Sequence, residues 1–344
     1  MNARIIVLIA LTALLPVAGP ASAVDLKIAT IAPEGSTWMK DMRAAGAEIA
    51  ERTDGRVNIK LYGGGVMGDD KKVLRKIRIG QLHGGVFTAN SMEQYYPDLN
   101  IYGLPLLFEN HGEVRYVRER VDPKLEAGLE EAGFVSFGFA GGGFARFLSN
   151  TPVRSVDDLK GKKVWVPEGD QISYRAMEAL DLSPVTLPVT DVLTGLQTGL
   201  IDIVASPPVA VLVLQWHTKV DYLTELPLLY TLGYLAIDKR AFSRLTDADQ
   251  AVVDEVMNRV YENFDRINQA DNEQALAALA NTGVDFVEPV DGAIDRWREP
   301  VMAANRSLAE EGYLSPELLD EVQTLLAEYR TRAAATAQAD GDGP

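Results

Sequence analysis

Apolar positions along this chain alternate between two spacings. LKIAT (26–30) is a short β-type run, and the loop APEGST follows it. Met39, Met42, Ala45 and Ile49 then recur at three- and four-residue steps, which predicts a helix from Trp38 to about Thr53, stopped by Asp54-Gly55. VNIKLYGG alternates as a strand, Lys71 to Ile79 reads as the next helix, and Gly80 ends it. GGVFTAN, the apolar stretch Leu99 to Phe108, a helix from about Glu113 to Ala132, and FVSFGFA continue the rhythm. After Asn150 it restarts, with KVWVP, VTLPV and IDIVASP as strands and Ser173 to Leu180 and Asp191 to Gly199 as helices. Strands alternating with helices predict an α/β architecture with mixed or largely parallel sheets. In such sheets, ligands bind beyond the strand ends.

One segment breaks the rhythm. From Thr246 to Asn281 there is neither Gly nor Pro, and Thr246-Asp-Ala-Asp249 resembles a capping start. Val252, Val256, Val260, Phe264 and Ile267 supply an apolar stripe. A helix of that length, about 50 Å at 1.5 Å per residue, overruns a single lobe and is expected to lie across two. The last residues, TRAAATAQADGDGP, are small and polar and are expected to fray.

The start changes where the protein is expected to work. One early arginine, an apolar run from Ile5 to about Ala18 and then Ala21-Ser22-Ala23 follow the order of a secretory signal peptide, cleaved near Ala23. The apolar run is short for a membrane span. The chain has no cysteine, which excludes a lipid-anchored cysteine, disulfide staples and thiolate metal sites. The exported product is therefore expected to be soluble and periplasmic. Its length exceeds what one core usually holds, so two lobes are expected, and 47% hydrophobic residues can fill their cores. A net charge of −16 argues against nucleic acid or an anionic membrane as partner, since both need a basic face.

Catalytic chemistry finds little support. His83, His111 and His217 are the only histidines; H-E-x-x-H, G-x-S-x-G and G-x-x-x-x-G-K-[ST] do not occur. Asp69-Asp70 is an acidic pair, but neighbouring carboxylates on a Gly-rich loop usually face solvent. The expectation is a binding protein, not an enzyme, with no cofactor and no metal.

The segments IATIAPEGSTW, AERTDGRVNIKLYGGGVMGDDKKVLRKIRIGQLHGG, YYPDLNIYGLPLLF, RFLSNTPVRSVDDLKGKKVWVP, LQTGLIDIVASPP, KVDYLTELP and LAIDKRAFSRLTDADQAVVDE together resemble the substrate-binding proteins of tripartite ATP-independent periplasmic (TRAP) transporters, in the DctP-type branch. The resemblance spans nearly all of the chain after the leader. It implies an α/β, two-lobed clamp with crossing strands and a long bridging helix, closing on a small organic acid and delivering it to a membrane permease pair. Lobe I is expected from residues 24–143 with 234–275, lobe II from 144–233 with 276–330, and a tail from 331–344. The receptor is expected as a monomer. The alternatives are a periplasmic sensor that presents its bound form to a membrane receptor, or a receptor for an amine or neutral solute.

The resemblance also assigns site residues. In these proteins an arginine typically closes the strand after the DLKG turn and grips the ligand carboxylate with a bidentate fork. Here that position is Trp165. Arg146, in GFARFLSN, matches a second, commonly basic position and becomes the expected anion partner. Glu168 falls where relatives often carry an amide, and Asn90 and Ser206 match ligand-facing positions just beyond strand ends. Trp165, Trp38 and Trp216 are candidate aromatic walls, against the plain alternative that each packs in a core. For an amine ligand, Trp165 would act by cation–π attraction, with Glu168 or Asp170 as counter-charge.

Overall fold

A computed structural model describes residues 23–341. The expected leader and its cleavage point, except for Ala23 itself, lie outside the described residues. The first half runs β1 (Val24–Ala29), α1 (Thr37–Arg52), β2 (Val57–Tyr62), α2 (Asp70–Arg78), β3 (Gly84–Thr88), α3 (His111–Glu131), β4 (Phe134–Ser136) and β5 (Ala140–Ser149). Then come β6 (Trp165–Pro167), α4 (Gln171–Glu178), β7 (Val185–Leu187), α5 (Val192–Thr198), β8 (Ile203–Ser206), α6 (Pro208–Val213) and β9 (Tyr222–Thr224). The chain closes with β10 (Leu229–Asp238), α7 (Lys239–Phe242), α8 (Asp247–Asn281), β11 (Asp285–Val287), α9 (Ala293–Glu310) and α10 (Pro316–Gly341).

Nine strands form one mixed sheet in the order β11-β9-β5-β10-β3-β1-β2, with β8 also on β5 and β4 on β10. The parallel pairs β1–β2 and β1–β3 belong to one lobe, and the antiparallel pairs of β5 with β8 and β9 to the other. Two long strands join them. β5 pairs with β10 through its first half and with β8 and β9 through its second, while β10 continues onto β3. The small parallel pair β6–β7 is tied on by a bridge from Val164 to Ile203.

The long helix is as the missing Gly and Pro predict. Thr246 caps α8, accepting from the Asp249 N–H at 3.2 Å. Its first half buries Val253, Val256, Met257, Tyr261 and Phe264 against Leu26, Ile28 and Leu235 of the lobe I sheet; near its end, Leu279 joins Leu148, Trp165 and Val204 in lobe II. Leu99 to Phe108 is not a strand. It opens as a 3-10 helix, Pro97–Gly103, because Pro97 and Pro105 cannot donate to a ladder and Leu106 takes a left-handed φ of 58°. Leu308, Leu314, Leu319, Val322 and Leu326 of the C-terminal helices pack with α3. Helix α10 runs on to Gly341, through part of the segment expected to fray.

Where the strands cross, α8 grips the backbone. Asn272 donates to Gly142 O at 2.9 Å, Asn268 donates to Gly141 O, and Asp265 accepts from the Gly141 N–H at 2.9 Å. Gly143 stands at φ +93°, and a Cβ there would meet Asn272 Nδ2 at 2.6 Å. Gly143→Ala is therefore expected to destabilise by about 1–3 kcal/mol, read as a lower melting temperature. An unchanged melt would show that the crossing tolerates a side chain.

Candidate ligand site

Arg146 lies on β5 directly opposite Ser206 on β8. Cross-strand partners share a face, and this face also carries Leu148, Val204 and Trp165 of the lobe II core. Arg146 is mostly buried, yet among the described residues its Nε has no hydrogen-bond partner and its guanidinium makes no ion pair. Burial pulls its titration below the ordinary guanidinium value, with the Glu225 charge opposing. The carboxyl of Glu225 is itself raised, first by its hydrogen bond to Glu288 and then by burial. His111 opens α3 between the rings of Phe144 and Tyr230, at 5.1 and 5.9 Å. Burial lowers its titration, and Arg146 lowers it further. A fixed, desolvated guanidinium without a carboxylate suits an anion that arrives from outside.

Trp165 is 5% exposed. Its indole N–H donates to Leu187 O at 3.0 Å, and its ring meets Trp216 edge to face at 5.4 Å. Trp216 is also buried, so the two rings form one block beneath the Arg146 face. Trp38 lies elsewhere, stacked on Phe264 of α8 at 5.7 Å. Thus the three tryptophans do not converge.

The remaining candidates gather where the lobes touch. Glu168 is exposed and pairs with Lys71 of α2 at 3.1 Å. A side chain at Gly65 would meet Thr190 Cγ2 at 3.0 Å, so the two lobes are in close contact. Asn90 follows β3 and accepts from Thr88 Oγ1 at 2.8 Å. Asp170 is not a solvated loop charge: it caps α4 through Ser173 N at 2.9 Å and is 7% exposed. Of the acidic pair, Asp69 caps α2, while Asp70 turns inward to Ser91 and burial raises it to about 6. Glu93 joins this group, raised to about 7 by burial and then by Asp170. Sequence reasoning did not single out Ser91 or Glu93; the polar run Asn90-Ser91-Met92-Glu93 after β3 is the local signal for them, and Asp70 has none beyond its place in the acidic pair.

Two cavities lie outside this cleft. One of about 500 Å³ sits among Leu74, Ile77, Tyr95, Phe134 and Lys239; one of about 180 Å³ sits beside Leu106 and Arg298. Of the cations lining the larger, Lys239 and Arg240 pair with Glu130 and Asp238, while Arg78 makes no ion pair among the described residues. Arg146 differs from these in being mostly buried, with its Nε unpartnered among the described residues.

Comparison with known proteins gives the family. The profile of "Bacterial extracellular solute-binding protein, family 7" matches residues 28–311. The C4-dicarboxylate-binding periplasmic protein DctP of Rhodobacter capsulatus is 25% identical over 289 residues, 82% of this chain and 85% of that protein. The crystal structure of the sugar acid binding protein DctPAm from Advenella mimigardefordensis, in complex with galactonate, superposes with a TM-score of 0.82 at 19% identity, covering 90% of this chain and 99% of the other. A TRAP periplasmic solute binding protein from Desulfovibrio salexigens with bound orotic acid gives 0.80 at 19% identity, covering 89% and 99%.

Proposed function

Because the chain belongs to family 7 of the bacterial extracellular solute-binding proteins, we propose that it is the periplasmic receptor of a TRAP transporter, holding one small organic acid between its lobes on Arg146. The observation that carries this reading is the Arg146 Nε, buried without a partner among the described residues. A carboxylate seated there gains charge-assisted hydrogen bonds in a site that closure shields from water. Arg146 makes no ion pair among the described residues, so the ligand presents a carboxylate to it and turns hydroxyl or ring atoms toward Asn90 and Ser206.

The leader through Ala23 directs export and is removed, and the loaded receptor hands its acid unchanged to the membrane permease. Relatives that hold galactonate and orotic acid give the chemical range to try first. In a thermal-shift screen of the mature protein against sugar acids, aromatic acids and C4-dicarboxylates, a true ligand at 100 times its Kd should add about 2.7 kcal/mol of apparent stability. Mass spectrometry after long incubation should recover that ligand intact. A screen in which only amines or neutral polyols stabilise the protein, or a chemically altered product, would overturn the proposal.

A further inference from the structure

The larger of the two cavities outside the cleft is built from α2, the end of α3, the start of β4, α7 and the turn at Tyr95. None of its lining comes from β5, β6 or β8, which carry Arg146, Trp165 and Ser206. Its walls are mainly apolar. Leu74 and Ile77, one helical turn apart on α2, form one side, and Tyr95 meets Phe134 edge to face at 5.2 Å to form an aromatic side. At about 500 Å³ the cavity falls within the size range of small-molecule sites.

The charges around it run against those of the chain. In a protein of net charge −16, the cavity is lined by three exposed cations, Arg78, Lys239 and Arg240, against one acid, Asp238. That acid is already answered: it caps α7 by accepting from the Arg240 and Ala241 N–H groups at 3.0 and 3.2 Å, and it pairs with the Arg240 guanidinium at 2.9 Å. Lys239 pairs with Glu130 at 2.8 Å, an exposed contact of the kind that contributes little and is readily given up. Arg78, in the last turn of α2, makes no ion pair among the described residues. Two cations are thus free to meet an anion at the mouth of an apolar cavity.

We propose that this cavity is a second ligand site, one that takes a small acid with a flat apolar body. The body lies against Leu74, Ile77 and the Tyr95–Phe134 pair, where leaving water supplies the affinity. The acidic head meets Arg78 and Lys239, and charge-assisted hydrogen bonds there select an anion over a neutral or cationic compound of the same shape. Because the lining leaves out β5, β6 and β8, the site fills independently of any acid held on Arg146.

Naphthalenes of one shape and different charge test the site: 2-naphthoate, the neutral 2-naphthalenemethanol and the cationic 2-naphthalenemethylamine. Methyl NMR of the mature protein labelled at isoleucine and leucine reads where each one sits. 2-Naphthoate should shift Ile77 and Leu74 in a saturable titration whose midpoint is the same in Arg146→Ala, since the two sites share no lining. The alcohol and the amine should bind about tenfold or more weaker, the cost of losing a charge-assisted hydrogen bond. Arg78→Glu, at an exposed position, should weaken naphthoate by a similar factor. Ala132→Trp fills the cavity and should abolish the Ile77 shift; Ser243→Trp is the second plug if the first fails to fold. Naphthoate that leaves Ile77 unmoved, an Ile77 shift lost in Arg146→Ala, an alcohol that binds as tightly as the acid, or a folded plug that binds as the parent does overturns the site. An Ile77 shift that grows with protein concentration alone, or with phosphatidylglycerol vesicles, gives the cavity to a second copy or a lipid surface and overturns it too. None of these failures touches the acid on Arg146, which calorimetry with the cleft ligand reads separately.

Discussion

Arg146→Ala is expected to lose about 30-fold or more in affinity for the acid ligand, corresponding to about 2–5 kcal/mol for the charge-assisted partner of a buried carboxylate. The folded state should not suffer with it. Most buried arginines are held by a carboxylate, and removing them strands that partner. Here the guanidinium makes no ion pair and its Nε has no partner among the described residues, while the Glu225 charge that acts on it is itself weakened by Glu288 and by burial. Arg146→Met keeps much of the apolar stem and deletes the unpaired charge, so it should melt at or above the parent temperature while binding as poorly as Arg146→Ala. Calorimetry with the identified ligand and a melting curve on the same sample check both halves. Binding within threefold of the parent, or a variant that unfolds, would make Arg146 a structural residue and remove the anion site from β5.

That separation of roles bears on what the residues reveal before folding. The strand and helix rhythm is local, and it is legible: Thr246, a capping residue followed by a long run free of Gly and Pro, becomes an uninterrupted α8. Leu99–Phe108 reads only as an apolar stretch, and Pro97 before it and Pro105 within it leave it a 3-10 helix and a loop. Arg146 and Ser206 could be paired because both match positions of one family, and the antiparallel register of β5 and β8 sets them opposite each other. The acidic contact was not legible. Asp70, Glu93 and Asp170 come from three separate segments, and each alone resembles a solvated loop charge. Their burial is set by the packing of segments around them, as Asp70 is held by Ser91, and no spacing along the chain records it. The converse holds for Lys71 and Glu168, whose ion pair crosses the same gap but stays in water, where such pairs contribute little.

Trp165→Ala is expected to cost about 3–5 kcal/mol of stability, the range for emptying a buried Trp site. The indole fills the junction of β6 with the lobe II core, against Leu196, Val204 and Trp216. Its N–H donates to the Leu187 carbonyl on β7, which also accepts from the Glu168 N–H at 3.1 Å, so truncation opens a cavity and removes one of that carbonyl's two hydrogen bonds. Trp165→Phe should lose less, because it keeps the edge-to-face contact with Trp216 but drops the hydrogen bond. A comparison of the two melts therefore separates packing from the Leu187 bond. Trp165→Arg tests the trade between core and clamp. In a position 5% exposed, a guanidinium would have to reach the ligand face, as the arginine of related receptors is expected to do, or stay buried with no carboxylate. Without ligand this variant should be less stable than Trp165→Phe, and a dicarboxylate such as succinate should restore part of the loss by pairing with the new charge. If Trp165→Ala instead melts with the parent while ligand affinity falls, the indole is a wall of the binding cleft and the Trp165–Trp216 block is not what holds lobe II together.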